Sequence, residues 1–432
     1  MKVLYTCHQY FPHHIGGTEI YTRGLSRRMH QASNAVEVFT AFESGLAEPN
    51  KYKLLSGSYE SIPLTELHYN LSVTEFPARD EYFNPKIGEI FKSILQNYRP
   101  DLVHVIHSMR LSVAIMKACL DLDVPYIVSL CDFWYLCPRH SLLDIDSRLC
   151  SGPDKLDKCL RCVRSLHGFA KENSPGKAAD VDAVNKRAQT IRQYLLGAKK
   201  ILALSQFQKN VFVVNGYPES KIDVMTHGVE PDDFASEHPR LNELSNKAGT
   251  IKIGFIGHLV EHKGAHILLK ALQELNSPKV FCDIWGPLRD DPYVSKIADL
   301  AISQRGVRLL GELDPARLSA VLQSFDVLAM PALWYENQPL IVKAALAMGL
   351  PVLSSDIGSL SEMIQPGRNG WLLPAGDVSA WKNAIDRLLM EGVARLEPTP
   401  IKDMNAHFLE IKSLYEEVLA AAKTTNLAGD RV

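Results

Sequence analysis

Two stretches of the chain open in the same way, and that repetition limits the folds open to it. Lys2 to Cys7 is an apolar run of strand length. A polar loop follows, and Gly16-Gly17-Thr18-Glu19 then opens a helix running to about Met29, with Thr18 placed to cap it. The pattern restarts at Ile251, where IKIGFIGHLVEHKG is again an apolar run, a glycine turn and a basic helix start. Glycines let the backbone approach a ligand closely, and a helix N-terminus welcomes anions. Two such openings imply two Rossmann-like halves, each a doubly wound parallel sheet. At 432 residues the chain is also too long for one core.

Further strand-like runs fit this plan. In the first half they are Ala35 to Thr40, Leu102 to His107, Tyr126 to Leu130, Ile201 to Leu204 and Ile222 to Met225. Helical patterns near Pro85 to Tyr98 and Leu111 to Leu120 separate the middle ones. In the second half the runs are Lys279 to Ile284, Val307 to Leu310, Asp326 to Met330, Pro351 to Ser354 and Gly370 to Leu373. From about Asn405 the tail has helical period through Phe408, Ile411, Leu414, Tyr415 and Val418. The most loop-like stretches are Ser147 to Asp182, Glu237 to Thr250 and Leu396 to Asp403. No compact G-x-G-x-x-G follows either strand, which disfavours a dinucleotide-dependent dehydrogenase.

Composition excludes several classes. Hydrophobic residues make up 46% and charged residues 22%, as in an ordinary globular protein. A formal net charge of −2 gives no general drive toward nucleic acid. The N-terminus lacks the apolar core of a signal peptide, and no apolar stretch approaches the roughly 20 residues of a membrane span. These features suggest a cytoplasmic protein. Its eight cysteines then read as free thiols or metal ligands rather than disulfides.

The chemistry concentrates in PALWYENQPLIVKAALAMG, Pro331 to Gly349. Glu336, Asn337 and Gln338 follow a buried-strand pattern. Pro339 stands where a helix begins, and Leu340, Ala344, Ala345 and Met348 recur at helical spacing. A carboxylate and two amides therefore stand beside free N–H groups, an arrangement suited to a ligand bearing hydroxyls and phosphate. In the second glycine turn, His258 and Lys263 are candidate phosphate ligands; the bland reading of Lys263 is a solvated helix-start residue. Asp132 ends a strand in SLCDFWYLCPRHSLL, where it would orient or deprotonate a hydroxyl, or merely cap the next helix. His107 closes the preceding strand, and Arg139 is a candidate contact to an acceptor or a phosphate.

Cys137, Cys150, Cys159 and Cys162 have the spacing C-x12-C-x8-C-x2-C. Four thiolates suit tetrahedral zinc, and the final C-x2-C is knuckle spacing. The alternative is four unpaired thiols in an insertion.

The stretch around Glu336 resembles the acidic motif of retaining glycosyltransferases of family four, which have the GT-B fold. The resemblance runs through most of the chain and is strongest at Gly16-Gly17, Ser129 to Arg139, Gly257 to Gly264 and Trp334 to Gly370. It implies two Rossmann-like domains facing an interdomain cleft. Residues 1–228 would be the acceptor domain, with a terminal helix at 405–432 packing back, and 229–404 the nucleotide-sugar domain. It implies that Gly16 and Gly17 face donor phosphates, that Lys263 holds the diphosphate with His258 in place of the family's Arg, and that Glu336 contacts the donor sugar. The N–H groups of Leu340 and Ile341 would face phosphate. In the family a second Glu lies eight residues after the first and binds the ribose. Here that position is Ala344, so donor binding is expected to be weakened. Cys131 replaces the family's His before Asp132. Related sequences often share the four cysteines as a structural metal site, and no catalytic metal is implied.

The implied function is sugar transfer from a UDP- or GDP-linked donor to a glycan or lipid-linked glycan acceptor, as in polysaccharide biosynthesis. Nucleic acid is not an expected partner, and peripheral membrane contact follows only if the acceptor is lipid-linked. The rivals are a catalytically silent sugar-nucleotide-binding relative, suggested by Ala344 and Cys131, and a GT-B sugar-nucleotide epimerase.

Overall fold

The computed structural model describes residues 1–43, 51–74, 76–167, 177–230, 249–394 and 396–429. The chain divides into two compact units, Met1–Gly228 with Met404–Val432, and Val229–Asp403.

The first unit holds an eight-stranded sheet. Its strands are β1 (Lys2–Cys7), β2 (Ala35–Glu43), β3 (Lys53–Tyr59), β4 (Ile62–Tyr69), β5 (Leu102–Val105), β6 (Tyr126–Leu130), β7 (Lys200–Ala203) and β8 (Ile222–Val224). Their order is β3-β4-β2-β1-β5-β6-β7-β8. Every pairing is parallel except β3 with β4. β1, β5 and β6 are buried almost throughout, which is why they read as continuous apolar runs.

Helix Met404–Gly429 belongs to this unit. Ile411, Leu414, Tyr415 and Val418 recur every three to four residues and enter a core with Val3, Tyr5, Tyr21 and Leu25. Polar contacts fix the helix as well. His104 Nδ1 lies 2.6 Å from Tyr415 Oη and its Nε2 lies 2.8 Å from Ser129 Oγ. Tyr21 Oη lies 3.0 Å from His407 Nε2.

The second unit holds a six-stranded parallel sheet. It comprises β9 (Ile251–Ile256), β10 (Val280–Trp285), β11 (Val307–Leu309), β12 (Val327–Met330), β13 (Val352–Ser355) and β14 (Gly370–Leu373), in the order β11-β10-β9-β12-β13-β14. Helices Ala265–Leu275 and Val378–Glu391 cover one face through Leu268, Leu272, Trp381 and Ile385. Helix Leu340–Ala347 covers the other with Val342, Ala345 and Leu346.

The structure corrects several expectations. The hairpin β3–β4 was not foreseen: β3 is exposed along nearly its whole length, so no burial pattern marks it. Thr18 does not cap its helix. Gly16 occupies the N-cap in extended conformation, and the Thr18 side chain lies inside the first turn. The second helix expected in the first half begins at Ala114 rather than Leu111. The loop-like stretch from Ser147 contains helix Leu156–His167, whose polar face hid it in the composition. Most of Glu237 to Thr250 lies outside the described residues. Among the described residues, no helix is long and apolar enough to cross a membrane.

Candidate functional site

In each sheet the chain reverses its winding beside the first strand. β9 has β10 on one side and β12 on the other; β1 has β2 and β5. Strand ends at such a switch point diverge and leave a crevice at their carboxyl ends. The singled-out residues of each unit collect there.

In the second unit, the turn after β9 and the loop after β12 meet. Leu333 N–H donates to His262 C=O (2.8 Å), tying the two segments together. Lys263 Nζ lies 2.6 Å from Glu336 Oε1, and the Trp334 indole N–H donates to the same oxygen at 2.7 Å. The Lys263 ammonium stands 5.0 Å from the Trp334 ring centroid. Glu336 is 4% exposed, so its charge is held by these two donors rather than by bulk water. Gly264 makes the approach feasible. Its φ is +76°, and a Cβ there would stand 1.8 Å from the Pro331 carbonyl oxygen at the end of β12.

Ser359 sets the loop that carries the acid. Its hydroxyl donates to Glu336 C=O (2.6 Å) and accepts from Gln338 N–H (2.7 Å). Gln338 is held at φ +56°. Asn337 Oδ1 is buried with no hydrogen-bond partner among the described residues. Behind them Pro339 occupies the N-cap, and the first helical bonds run from Val342 and Lys343 N–H to its carbonyl. The N–H groups of Leu340 and Ile341 stand ahead of that ladder, as free donors at the positive end of the helix.

His258 follows β9 in the same unit. Burial lowers its pKa, the cationic Arg289 and Lys263 lower it further, and Glu312 opposes them. It is a neutral donor or acceptor at pH 7 that an arriving anion would help to charge. Ala344 is 2% exposed and packs in the apolar cluster, so no carboxylate stands at that position. Its neighbour Lys343 is also buried; burial, with Lys402 adding repulsion, pulls its ammonium down to about 7.

In the first unit, the ends of β1, β5 and β6 bring imidazoles and carboxylates together. His107 Nε2 lies 3.0 Å from Asp132 Oδ2, near enough for an ion pair though off the line of a hydrogen bond. Met109 N–H donates to His107 Nδ1 (3.0 Å), so in the neutral ring the proton sits on Nε2, facing Asp132. Trp134 N–H donates to Asp132 Oδ1 (2.7 Å), closing a turn rather than opening a helix. Burial acts to raise the Asp132 pKa, but His107, His140 and the Trp134 N–H outweigh it and hold the carboxyl at about 2.

His8, which sequence reasoning passed over, lies with its ring tilted against that of His107 at 4.5 Å, centroid to centroid, and its Nε2 lies 3.6 Å from Glu19 Oε1. Burial pushes the His8 pKa well down and raises that of Glu19. The GGTE opening was the signal for Glu19. Its Oε2 would lie 2.6 Å from a Cβ at Gly16, so that glycine leaves room for the carboxylate. Gly17 is the first residue of the helix. Cys131 Sγ donates to Ile106 C=O (3.3 Å) and is a half-buried thiol where the resemblance implies a His.

Arg139 lies within electrostatic reach of His140 and of the Cys162 thiol and acts to lower the pKa of each. Cys150 lies within electrostatic reach of Cys137, Cys159 and Cys162, raising the pKa of each after burial has done so. The four sulfurs do not form a ready ligand set. Among the described residues, the trio of potential ligands whose donor atoms all fall within 4.8 Å is Cys7, His8 and Glu19.

Two family models match the sequence. Glycosyltransferase Family 4 matches residues 15–233, and Glycosyl transferases group 1 matches residues 250–391. A D-inositol 3-phosphate glycosyltransferase of Corynebacterium urealyticum is 31% identical over 200 residues, 43% of this chain and 47% of that protein. The chain thus spans about half the length of this relative, and 59% and 63% of two further Corynebacterium proteins of the same name. An uncharacterized glycosyltransferase of Methanocaldococcus jannaschii is 23% identical over 407 residues, 90% of each chain. Among solved structures, sucrose-phosphate synthase from Thermosynechococcus elongatus superposes with a TM-score of 0.67 at 18% identity, covering 98% of this chain and 100% of that one. Anabaena HepE in complex with UDP and glucose superposes at 0.62 and 16%, covering 96% and 99%. These likenesses give the fold, a GT-B arrangement of two parallel-sheet units.

Proposed function

The chain belongs to glycosyltransferase family 4, and from that premise we propose that it is a retaining transferase moving a sugar from a UDP- or GDP-linked donor to a glycan or lipid-linked glycan acceptor. The observation that carries this reading is the 2.6 Å contact of Lys263 with Glu336 beside the N–H groups of Leu340 and Ile341. One carboxylate for sugar hydroxyls and a set of cationic and N–H donors for phosphate stand within one loop's reach.

The division of labour follows from the chemistry of each group. Lys263 and the helix N-terminus stabilise the charge that builds on the leaving diphosphate, a role needing donors fixed in advance. His258 adds a hydrogen bond and gains charge as the anion arrives. Glu336 accepts from donor-sugar hydroxyls, and Asn337 Oδ1 has the unused acceptor capacity to join it. In the first unit, Asp132 stays ionised and holds His107, which orients the acceptor hydroxyl. The acceptor attacks the sugar face that the diphosphate leaves, so the anomeric configuration is kept without a protein nucleophile.

Support for a UDP-linked donor comes from neighbours of the same fold solved with UDP, UDP-glucose, or UDP and glucose. With Ala344 in place of the second Glu, the ribose loses a charged acceptor worth about 1.5–3 kcal/mol, so donor binding is weak. The test is release of UDP or GDP from a panel of nucleotide sugars, with and without glycan acceptors, alongside nucleotide titration of the natural protein and of Ala344→Glu. Acceptor-dependent release is expected, and Ala344→Glu should bind the nucleotide at least about tenfold more tightly. Release of free sugar without acceptor would favour the epimerase, and nucleotide binding without turnover the silent binder.

A structural zinc on Cys137, Cys150, Cys159 and Cys162 is a separate part of the proposal. With Zn–S bonds of about 2.3 Å the sulfurs must close to about 3.8 Å apart, so the metal would draw this region together. Protein purified without chelator is expected to carry one zinc per chain, lost on Cys159→Ser with Cys162→Ser. A zinc-free protein of undiminished stability removes the idea.

A further inference from the structure

A second feature of the first unit lies outside the machinery described so far. His13, His14, Phe42 and Arg110 line an open cavity of about 420 Å³. His13 and His14 follow β1, Phe42 is near the end of β2, and Arg110 lies beyond β5. The cavity therefore sits at the same carboxyl edge as His8, His107 and Asp132, three residues along from His107 at Arg110.

Its walls are basic. Arg110 is held at φ +65°, a left-handed conformation uncommon for a side chain of this size. Two contacts secure that turn: Tyr69 Oη donates to Arg110 C=O (2.5 Å), and Arg110 Nη1 donates to Gln9 Oε1 (3.3 Å). Backbone strain of this kind persists where surrounding contacts enforce it, often at ligand sites. His14 has its pKa lowered by burial and then by Arg110 and His13, so it stands as a neutral hydrogen-bonding group and Arg110 carries the charge of the cavity. Glu66 is the acid beside the histidines of this cavity. It is shared between His13 at 3.9 Å and His68 at 3.3 Å. Phe42 supplies a ring face, with the His13 ring edge-on at 5.1 Å and the His68 ring tilted at 4.7 Å.

The same arginine acts on the inner cluster. Arg110 lowers the pKa of His8 and of Glu19, so its charge reaches the groups around His107. A ligand anchored in the cavity would thus extend toward Asp132 and His107.

We propose that this cavity binds an anionic group, a phosphate or a carboxylate, carried by the acceptor sugar, with the sugar ring against Phe42. This deepens the transferase reading and rests on it for the word acceptor. Arg is suited to the task because its planar fork meets both anions with two parallel bonds. The two histidines add donors, and the apolar face of a pyranose packs on an aromatic ring. A neutral acceptor would make no use of the charged Arg110 fork.

The test is calorimetric titration of the full chain with glucose 6-phosphate, with glucuronate, and with glucose as the neutral control. At least one anion is expected to bind at least tenfold more tightly than glucose, and the stronger of the two identifies the source of the charge. Arg110→Gln and, separately, His14→Ala should each weaken that binding at least tenfold while leaving the affinity for UDP or GDP unchanged, and His14→Ala should leave the melting temperature unchanged as well. His14 is partly exposed, so its removal does not endanger the fold. Glucose bound as well as both anions, or anion binding that survives both substitutions, overturns the proposal. Anion binding at this cavity in a protein that binds neither nucleotide would sink the transferase reading and leave the cavity's specificity standing.

Discussion

Lys263→Met is expected to lower turnover on any nucleotide-sugar donor by about 10²–10³-fold, the usual effect of losing one preorganised charge stabiliser. The substitution keeps an unbranched apolar stem of nearly the same length and removes the ammonium. Its second effect is on the apo protein. Glu336 is 4% exposed and would keep only the Trp334 indole N–H of the two side-chain donors described above. A buried charge left short of a partner costs roughly 1–3 kcal/mol, so the second unit should also become less stable. Glu336→Gln added to Lys263→Met separates these effects. The neutral amide no longer needs the cation, so stability should return while turnover stays low. Melting temperatures and single-turnover rates of the two single variants and the double variant complete the cycle. If Lys263→Met keeps natural turnover, the phosphate-binding role assigned to this site is wrong.

The convergence behind that prediction was legible in part. Apolar runs of strand length marked β9 and β12, and both glycine turns and the Pro339 helix start stood out in the sequence. Nothing in those patterns states that β9 and β12 are neighbours; strand order is a tertiary fact, and it is strand order that places Lys263 on Glu336. Trp334 and Ser359 escaped notice for the same reason, since each serves the site through a contact whose partner a periodicity cannot name. In the first unit His107 and Asp132 were visible as polar residues ending apolar runs. His8 was visible too, but its partners Glu19 and His107 come from different elements. Strand β3 of the β3–β4 hairpin was illegible because an exposed edge strand needs no apolar alternation. Arg110 sits in a turn whose positive φ is enforced by Tyr69, 41 residues earlier, so its functional position could not be read from its own neighbours.

Acidification should destabilise the first unit well before its carboxylates titrate, and His104 is a principal cause. It lies buried between Tyr415 and Ser129, and burial, with His407 adding a little, holds its pKa at about 3 against an ordinary 6.5. The folded protein therefore resists a proton that the unfolded chain accepts. The stability this represents is fully present above pH 6.5 and is lost as pH falls toward 3, amounting to about 5 kcal/mol at 1.36 kcal/mol per pH unit. His8 and His140, also depressed, act in the same direction. Asp132 follows at lower pH. Its carboxyl is depressed from 3.8 to about 2, so a further 2 kcal/mol or roughly so disappears between those values. Urea midpoints of the natural protein should fall steadily from pH 6.5 downward. His104→Gln can still bond both hydroxyls but cannot titrate, so its midpoint should start lower at pH 7 and fall less steeply, by close to one proton's slope. Equal slopes would mean that His104 is protonated in the folded state, and that the Tyr415 contact does not depend on a neutral imidazole. Because Tyr415 lies on helix Met404–Gly429, the loss should appear first as weakened protection of that helix's amides against hydrogen exchange.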